Sequence, residues 1–263
     1  MMRMAPGSDR RGKMEGMEYM DYFNTPKEKW QEFLKIRDED IPNKLIIDGK
    51  IDYPKWIKIV LDRVKNGRAS WHPNLIMGEY NGDLIGYGVC FGGSVASQYT
   101  HIYCKMGTKK MVQIGCGGGL QPDIEPGDII VSEAVLCRDG SARFYKHISD
   151  LVEFDRELIK DVIEKIEERG IPYHLGKTIC MFDILLWEAE DFKDLSRKGF
   201  LGADMESGSV CAVSKYFGAP ATSFYVCSDN SASGKDLFYK QTEEEQKKVK
   251  MIFDAVLNIA LEL

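Results

Sequence analysis

The 263-residue chain has no long apolar run, no excess of basic residues and no paired-cysteine motif. Lacking a run of about 18 apolar residues, it is not predicted to span a membrane. The chain has 35 Lys and Arg against 41 Asp and Glu, which leaves a net charge of −6. It therefore has no excess of positive charge that would bind nucleic-acid phosphates. The first residues, through Met17, are charged and have no apolar core, so they are not predicted to be a secretory signal. We therefore expect neither a membrane nor a nucleic acid as partner.

Cysteine and histidine also occur without the spacing of a disulfide framework or a metal site. There are seven cysteines, an odd number, and no two of them form a CxxC pair. Most lie in apolar runs, which is typical of reduced, buried thiols. The four histidines are far apart, without zinc-type spacing. We therefore predict a cytoplasmic protein without a bound metal.

What the sequence does contain is an alternation of strand and helix signals. Residues 1–24 are predicted to be a disordered tail and residues 25–263 to form one domain. Asn81-Gly82 separates two short apolar runs and predicts a hairpin, and KKMVQIG predicts a strand buried on both faces. Because strands alternate with helices and no repeat occurs, we predict a single-domain α/β three-layer sandwich with a central mixed β-sheet flanked by helices.

Helix signals recur along the chain. Ser94 is the predicted cap of a helix over SVASQYTHIYCKM. Asp155 can cap a second helix, and Thr242 with Glu245 forms the capping box of the last one. The segment PKWIKIVLDRVKNG has apolar residues at helical spacing, followed by a glycine stop, and is predicted to be helical as well.

Three glycine-rich or polar segments are candidates for a site. The run 115–119, GCGGG, matches neither a Walker loop nor GxGxxG, and is either a tight strand exit or a backbone that a ligand can approach closely. Glu206 lies at a helix start in GADMESG. It either only interacts favourably with the helix dipole or belongs to a functional site. Ser228-Asp229-Asn230 is either a turn or part of the strand-end edge where α/β proteins place their sites.

Together, VQIGCGGGLQPDIEPGDIIV and GADMESGSVCAVSKYFGAPATSFYVCSDN resemble the nucleoside phosphorylase family, which includes hexameric purine nucleoside phosphorylase, uridine phosphorylase and related nucleosidases. The resemblance runs from about Met77 to the C-terminus and keeps motif order and spacing. It implies a phosphorylase-like fold and an enzyme that cleaves the N-glycosidic bond of a nucleoside, with purine favoured. Transfer to phosphate is the family default. Hydrolysis by water and a non-catalytic nucleoside-binding protein are the alternatives.

The resemblance also implies roles for individual residues. Glu206 matches the carboxylate that accepts hydrogen bonds from the ribose hydroxyls, and Met205 matches the residue that packs on the sugar. Asp229 matches the aspartate that donates a proton to the departing base, a role that suits a carboxyl group with a raised pKa. The other positions that the resemblance places beside the substrate are Gly117, Gly118, Phe182, Leu185 and Ser228.

The predicted phosphate or water site departs from the family pattern. Phosphorylases have an arginine before the glycine loop and a Ser or Thr inside it, where this chain has Gln113 and Cys116. The early glycine-aspartate-proline loop with its arginine has only Gly49 and Lys50 as possible counterparts, and Arg68 is the candidate for an arginine reached from a neighbouring subunit. If the reaction is hydrolysis, Gln113 would orient a water. The resemblance implies a homo-oligomer, a dimer or hexamer, that needs no cofactor beyond phosphate as co-substrate.

Overall fold

The computed structural model describes residues 21–145 and 148–263. Over these residues the chain forms seven α-helices and ten β-strands. The helices are α1 (Lys27–Leu34), α2 (Tyr53–Leu61), α3 (Gly93–Met106), α4 (Arg156–Glu168), α5 (Ala189–Arg197), α6 (Ser207–Phe217) and α7 (Glu243–Glu262). The strands are β1 (Lys44–Gly49), β2 (Lys65–Ala69), β3 (Leu75–Tyr80), β4 (Asp83–Cys90), β5 (Lys110–Gly119), β6 (Ile129–Cys137), β7 (Leu151–Glu153), β8 (Tyr173–Cys180), β9 (Gly202–Asp204) and β10 (Ala221–Asn230). Within these two described stretches, no helix is long and apolar enough to cross a membrane.

The strands form one mixed sheet that closes on itself at one end. The strand order is β10-β6-β8-β9-β5-β1-β4-β3-β2, with β7 paired to β6. Because β10 also pairs with β5, the strands β5, β10, β6, β8 and β9 form a closed ring. β1, β4, β5 and β10 are parallel neighbours, whereas β2, β3 and β4 form an antiparallel meander. The predicted α/β fold with a central mixed sheet and flanking helices is confirmed.

Several local predictions are confirmed in detail. Asn81 and Gly82 both have positive φ, 51° and 89°, as the two-residue turn between β3 and β4 requires. The Asp155 side chain caps α4 by accepting hydrogen bonds from two amides of its first turn. Thr242 and Glu245 form the capping box that begins α7. These signals were readable because each depends on residues within one turn of chain.

Other local predictions are wrong. The cap of α3 is Gly92, with φ of 95°, and Ser94 lies inside the helix. In PKWIKIVLDRVKNG only the first part is helical, since α2 ends at Leu61 and β2 begins at Lys65. β2 is an exposed edge strand held by pairing with β3, and that pairing has no local sequence signal.

The predicted tail boundary also differs from the structure. Residues 1–20 of the predicted disordered tail lie outside the described residues. Residues 21–24 were assigned to the same tail but form a turn, in which the Asn24 side chain donates a hydrogen bond of 2.6 Å to Asp21. The Phe23 ring packs against His101 of α3, with ring centroids 5.4 Å apart. Aromatic packing onto α3 therefore orders these residues.

The glycine run lies within a strand rather than after one. β5 continues through Gly119, and its last residues pair with β9 and β10. β1 and β5 are central strands whose residues are almost all buried. Since β1, β5 and β10 run parallel, their carboxyl ends lie at one edge of the sheet.

Candidate active site

Three strand ends and one turn meet at this edge of the sheet. Gly49 ends β1 beside β5, and Asp229 near the end of β10 pairs with Gly118. Gly118 also pairs with Ala203 of β9, which brings the segment from Asp204 onward to the same place. The three candidate segments, far apart in sequence, are thus adjacent in the fold.

The glycines at this edge leave room for functional side chains and for neighbouring backbone. A Cβ built on Gly49 would lie 2.5 Å from Oε2 of Glu206, and one built on Gly118 would lie 3.2 Å from Oδ2 of Asp229. A Cβ on Gly117 would lie 2.4 Å from the carbonyl oxygen of Ala203 in β9. The glycine run thus lets neighbouring protein groups approach closely, and because β5 continues through Gly119 it is not a tight strand exit.

Glu206 is enclosed at the start of α6. It is the N-cap residue of that helix and only 3% exposed, and its Oε1 accepts a hydrogen bond of 2.6 Å from the Gly92 amide. Burial, followed by the nearby carboxyl groups of Asp204 and Asp48, raises the pKa of Glu206 to about 8. Additional hydrogen-bond donors at this carboxyl group would favour its ionised form.

Asp204 was not predicted as a site residue, although it fixes the turn that presents Glu206. Its carboxylate accepts hydrogen bonds of 2.9 Å from the Ser207 amide and 2.5 Å from the Ser207 hydroxyl. Burial raises the pKa of Asp204 to about 6, and these hydrogen bonds oppose the shift. The spacing Asp-x-x-Ser at a helix start is the sequence signal that could have identified it.

Asp229 lies at the opposite side of the glycine strand from Gly49. It is half-buried, and its Oδ1 accepts a hydrogen bond of 2.7 Å from the Ser228 hydroxyl. Burial raises the pKa of Asp229, the Ser228 hydrogen bond lowers it, and the charge of Asp236 raises it further. A carboxyl group whose pKa is raised and which keeps contact with solvent is suited to donating a proton.

The other side chains predicted to bind substrate differ in their burial. Met205 is half-buried between Asp204 and Glu206. Phe182 and Leu185 follow the end of β8 and are 69% and 87% exposed, so they lie on the rim rather than in the interior. The Met181 amide, one residue before Phe182, donates a hydrogen bond of 2.7 Å to the Asp204 carbonyl, which ties the rim segment to the Glu206 turn.

Two of the predicted phosphate-site residues are engaged elsewhere in the protein. Gln113 is completely buried: its amide nitrogen donates to the Ile114 carbonyl at 2.8 Å, and its oxygen accepts from the Ser223 hydroxyl. It therefore has no surface open to a phosphate or a water. Arg68 lies on β2, separated from β1 by β3 and β4, and forms an ion pair of 2.5 Å with Asp40. Within one chain it does not reach the site.

Cys116 and Lys50 lie at the site itself. The Cys116 thiol is 3.9 Å from the Gly49 carbonyl oxygen, and burial raises its pKa, so it is a neutral group. Lys50 directly follows β1 and is only 7% exposed. Its ammonium has no hydrogen-bond partner in the described part of the chain and lies 3.3 Å from the ring centroid of Phe253.

Asp48 is a further buried carboxyl group next to Lys50. It is 1% exposed; one oxygen accepts a hydrogen bond of 2.5 Å from the Tyr87 hydroxyl, and the other has no partner among the residues described. Burial raises the pKa of Asp48, and the charge of Lys50 opposes that shift. No strand was predicted for the segment IIDGKIDY, and Asp48 was not among the predicted site residues.

Comparison with known proteins identifies relatives of this chain. Residues 60–258 match the family model described as Phosphorylase superfamily. The chain is 26% identical over 193 residues to the DeoD-type purine nucleoside phosphorylase of Mannheimia succiniciproducens, covering 70% of this chain and 76% of that protein. It is 23% identical over 246 residues to the corresponding protein of Actinobacillus succinogenes, covering 92% and 95%. The match to the Colwellia psychrerythraea protein of the same name is 26% identical and spans 64% of its length.

The fold is similar to that of a solved structure. Uridine phosphorylase from Vibrio fischeri ES114 superimposes with a TM-score of 0.74 at 20% identity, covering 86% of this chain and 93% of that one. At this level of identity the likeness concerns the fold. The strand arrangement that brings the glycine strand, the Glu206 turn and Asp229 together is therefore a known one.

Proposed function

The chain belongs to the phosphorylase superfamily, and on that basis we propose that it cleaves the N-glycosidic bond of a nucleoside with phosphate as the nucleophile. The products are the free base and ribose 1-phosphate, which makes the protein a pentosyltransferase. A purine nucleoside is the favoured substrate. The observation that carries the proposal is that Glu206 lies against Gly49 at the end of β1, and Asp229 lies against Gly118 near the end of the neighbouring strand β5.

Glu206 is assigned to the sugar. Cleavage of the C1′–N bond passes through a sugar with oxocarbenium character, which a nearby anion and ordered hydroxyl groups stabilise. The ribose hydroxyls would donate hydrogen bonds to the Glu206 carboxylate. These donors favour the ionised form of a group whose pKa is otherwise raised by burial, so substrate binding itself would complete the charge.

Asp229 is assigned to the base. As the C1′–N bond breaks, its electron pair goes to the base nitrogen, and an acid positioned beside the base can supply the proton that neutralises it. A phosphate oxygen forms the new bond to C1′. The raised pKa of Asp229 and its half-buried position support this role.

Lys50 is assigned to the phosphate. A buried ammonium without an acceptor is costly, and an anion bound beside it would satisfy both its charge and its hydrogens. Lys50 is close enough to the Cys116 thiol to lower its pKa electrostatically, which supports a position at the Gly49–Cys116 side of the site. Lys50 would thus supply the charge that arginine supplies in the family pattern.

A hydrolase is the second candidate, because one feature of the site favours it. The glycine strand itself contains no arginine, and its Gln113 and Cys116 side chains are both neutral. A site with fewer cations holds phosphate less firmly and leaves more room for water. The single buried ammonium of Lys50 is the reason to place phosphorolysis first.

Product analysis tests this choice. Inosine, adenosine, guanosine and uridine are incubated with the protein in phosphate buffer and in phosphate-free buffer, and the sugar product is identified. We expect ribose 1-phosphate, turnover only with phosphate, and faster cleavage of the purine nucleosides. Free ribose formed equally in both buffers would establish the hydrolase instead, and binding without any product would establish a nucleoside-binding protein.

We further propose that the enzyme is a cytoplasmic homo-oligomer, a dimer or hexamer, that uses no cofactor. The support is the family resemblance, together with Arg68, which is too distant to serve the site of its own chain. Light scattering on the purified protein gives the mass to compare with the 29.9 kDa chain. A monomer at working concentration would contradict the proposed assembly.

A further inference from the structure

We propose that Asp139 is a positioning residue for Glu206. It lies in the turn after β6, outside the segments that carry the family resemblance. It accepts a hydrogen bond from the start of α6, the helix capped by Glu206, and packs against the start of α3, the helix that follows Gly92, whose amide holds the Glu206 carboxylate. The inference rests on the proposed function, because it concerns how the ribose-binding carboxylate is held.

The Asp139 carboxylate contacts the first turns of both helices. Its Oδ2 accepts a hydrogen bond of 2.6 Å from the hydroxyl of Ser209 in α6. A Cβ built on Gly93, the first residue of α3, would lie 2.8 Å from the same oxygen. A Cβ built on Gly208 of α6 would lie 3.1 Å from the other oxygen, Oδ1. Glycine at both positions is what allows the carboxylate to lie between the helix starts.

Asp139 is itself held in place. Its Oδ1 accepts a hydrogen bond of 3.0 Å from the Ser141 hydroxyl, two residues along the same turn. It is half-buried, and the N-terminal ends of α3 and α6 both carry partial positive charge that favours an anion there. These helix ends offset the repulsion from Asp204, whose pKa Asp139 helps to raise.

The consequence for Glu206 follows from the geometry of the two helix starts. They are joined through the 2.6 Å hydrogen bond from the Gly92 amide to Glu206, and Asp139 fills the space between them, hydrogen-bonded to Ser209 of α6 and packed against Gly93 of α3. If the hydrogen bond from Ser209 to Asp139 is lost, the start of α6 can shift relative to α3, and the bond from Gly92 to Glu206 must stretch or rotate. Since small displacements of a positioned group are costly to catalysis, the Glu206 carboxylate would then meet the ribose hydroxyls less well.

The test is the preference for ribonucleosides over 2′-deoxyribonucleosides in Asp139→Asn. An amide keeps the shape but loses the charge, and its single oxygen cannot accept from both Ser209 and Ser141. We expect the ratio of kcat/KM for inosine to that for 2′-deoxyinosine to fall by about tenfold, toward the ratio of Glu206→Gln. In the double variant the ratio should fall no further than in Glu206→Gln alone, because both changes act on one contact.

A matched control is Asp150→Asn. Asp150 is an exposed carboxylate on the same connection after β6, where it lies 3.8 Å from Arg138. Its replacement removes one negative charge without touching either helix start, so the ratio should stay at the wild-type value.

A purely structural role gives a different result. If Asp139→Asn lowers the melting temperature and reduces cleavage of inosine and 2′-deoxyinosine by the same factor, the positioning role is refuted. Should that variant not fold, Ser209→Ala removes only the α6 side of the connection, and an unchanged ratio there refutes the proposal equally. If the wild-type protein cleaves neither nucleoside, the proposed function fails, which is recognised without any variant.

Discussion

Glu206 is proposed to bind ribose, and its burial disfavours the ionised carboxylate in the ligand-free protein. Its carboxyl group is buried beside Asp204 and Asp48, so the ionised form that would bind ribose is disfavoured until substrate arrives. Glu206→Gln keeps the size and removes the anion. We expect kcat/KM to fall by about 10²–10³, the scale seen when one preorganised electrostatic partner is lost. Steady-state kinetics on ribosides and 2′,3′-dideoxyribosides measures this, and equal activity of the wild type on both would contradict the role.

The same substitution should stabilise the empty protein at alkaline pH. The pKa of Glu206 is about 8 in the folded protein against a usual value of 4.5, so its contribution to stability is full below pH 4.5 and is lost as the pH rises to 8. Glu206→Gln removes this loss. At pH 8 we expect the free energy of unfolding to rise, and at pH 5, where the carboxyl group of the folded protein is protonated, we expect a smaller change. Denaturant unfolding at pH 5 and pH 8 measures the change, and a less stable variant at pH 8 would contradict this account.

Asp229 is proposed to donate a proton to the departing base. Asp229→Asn can still donate a hydrogen bond but cannot transfer a proton, so purine substrates should lose about 10²–10⁴ in rate. Substrates whose base leaves without protonation should lose much less. In the wild type the rate on purines should fall as rising pH deprotonates Asp229, and this limb of the pH profile should flatten in the variant. Equal losses for both kinds of substrate would reassign Asp229 to positioning or folding.

Lys50 is expected to control the affinity for phosphate. Lys50→Met keeps the packing of the side-chain stem against Phe253 but removes the ammonium, so the apparent KM for phosphate should rise by about tenfold or more, and that for the nucleoside much less. Lys55→Met is the control, because the exposed Lys55 ammonium lies 5.5 Å from the centroid of the Trp56 ring, which the Lys50 ammonium also approaches, at 5.0 Å. Unchanged phosphate dependence in Lys50→Met would refute the assignment.

At the scale of elements, the glycine strand β5 joins both halves of the site. Gly117→Ala places a methyl group against the β9 carbonyl, which cannot move without displacing the Glu206 turn, so we expect a stability loss of about 1–3 kcal/mol and a loss of activity. Gly118→Ala meets only the tip of Asp229 at 3.2 Å, so it should fold normally and lose activity chiefly on purines. Thermal unfolding and kinetics of the pair compare the two. Equal stability losses would contradict this difference.

The predictable elements were those with local signals. The hairpin at Asn81-Gly82, the Asp155 cap and the Thr242 capping box depend on residues within one turn, and each is confirmed. β2 and β9 are short strands specified by distant partners, so periodicity could not identify them. The start of α3 at Gly92 was missed because the glycine is chosen for its backbone conformation and its amide, not for a capping side chain.

At the scale of the whole molecule, the resemblance predicts one site for Glu206 and Asp229, and in the structure both lie at one edge of the sheet, because parallel strands end together. The contacts of Gln113 could not be anticipated in the same way. Its amide oxygen accepts a hydrogen bond from Ser223 on the neighbouring strand, and the two residues are 110 positions apart in sequence. Lys50 was a candidate from the sequence, whereas Asp48 became one only once β1 was seen to lie beside β5. Long-range strand pairing therefore determined which polar residues face the site.

The source of the oxygen on C1 of the sugar product tests the central claim most directly. The protein is given a purine nucleoside and phosphate in water enriched in heavy oxygen, and the sugar product is analysed by mass spectrometry. Phosphorolysis predicts ribose 1-phosphate without heavy oxygen, since the new bond to C1 is made by a phosphate oxygen. Free ribose that carries heavy oxygen, as the first product formed in the presence of phosphate, would contradict the proposed reaction.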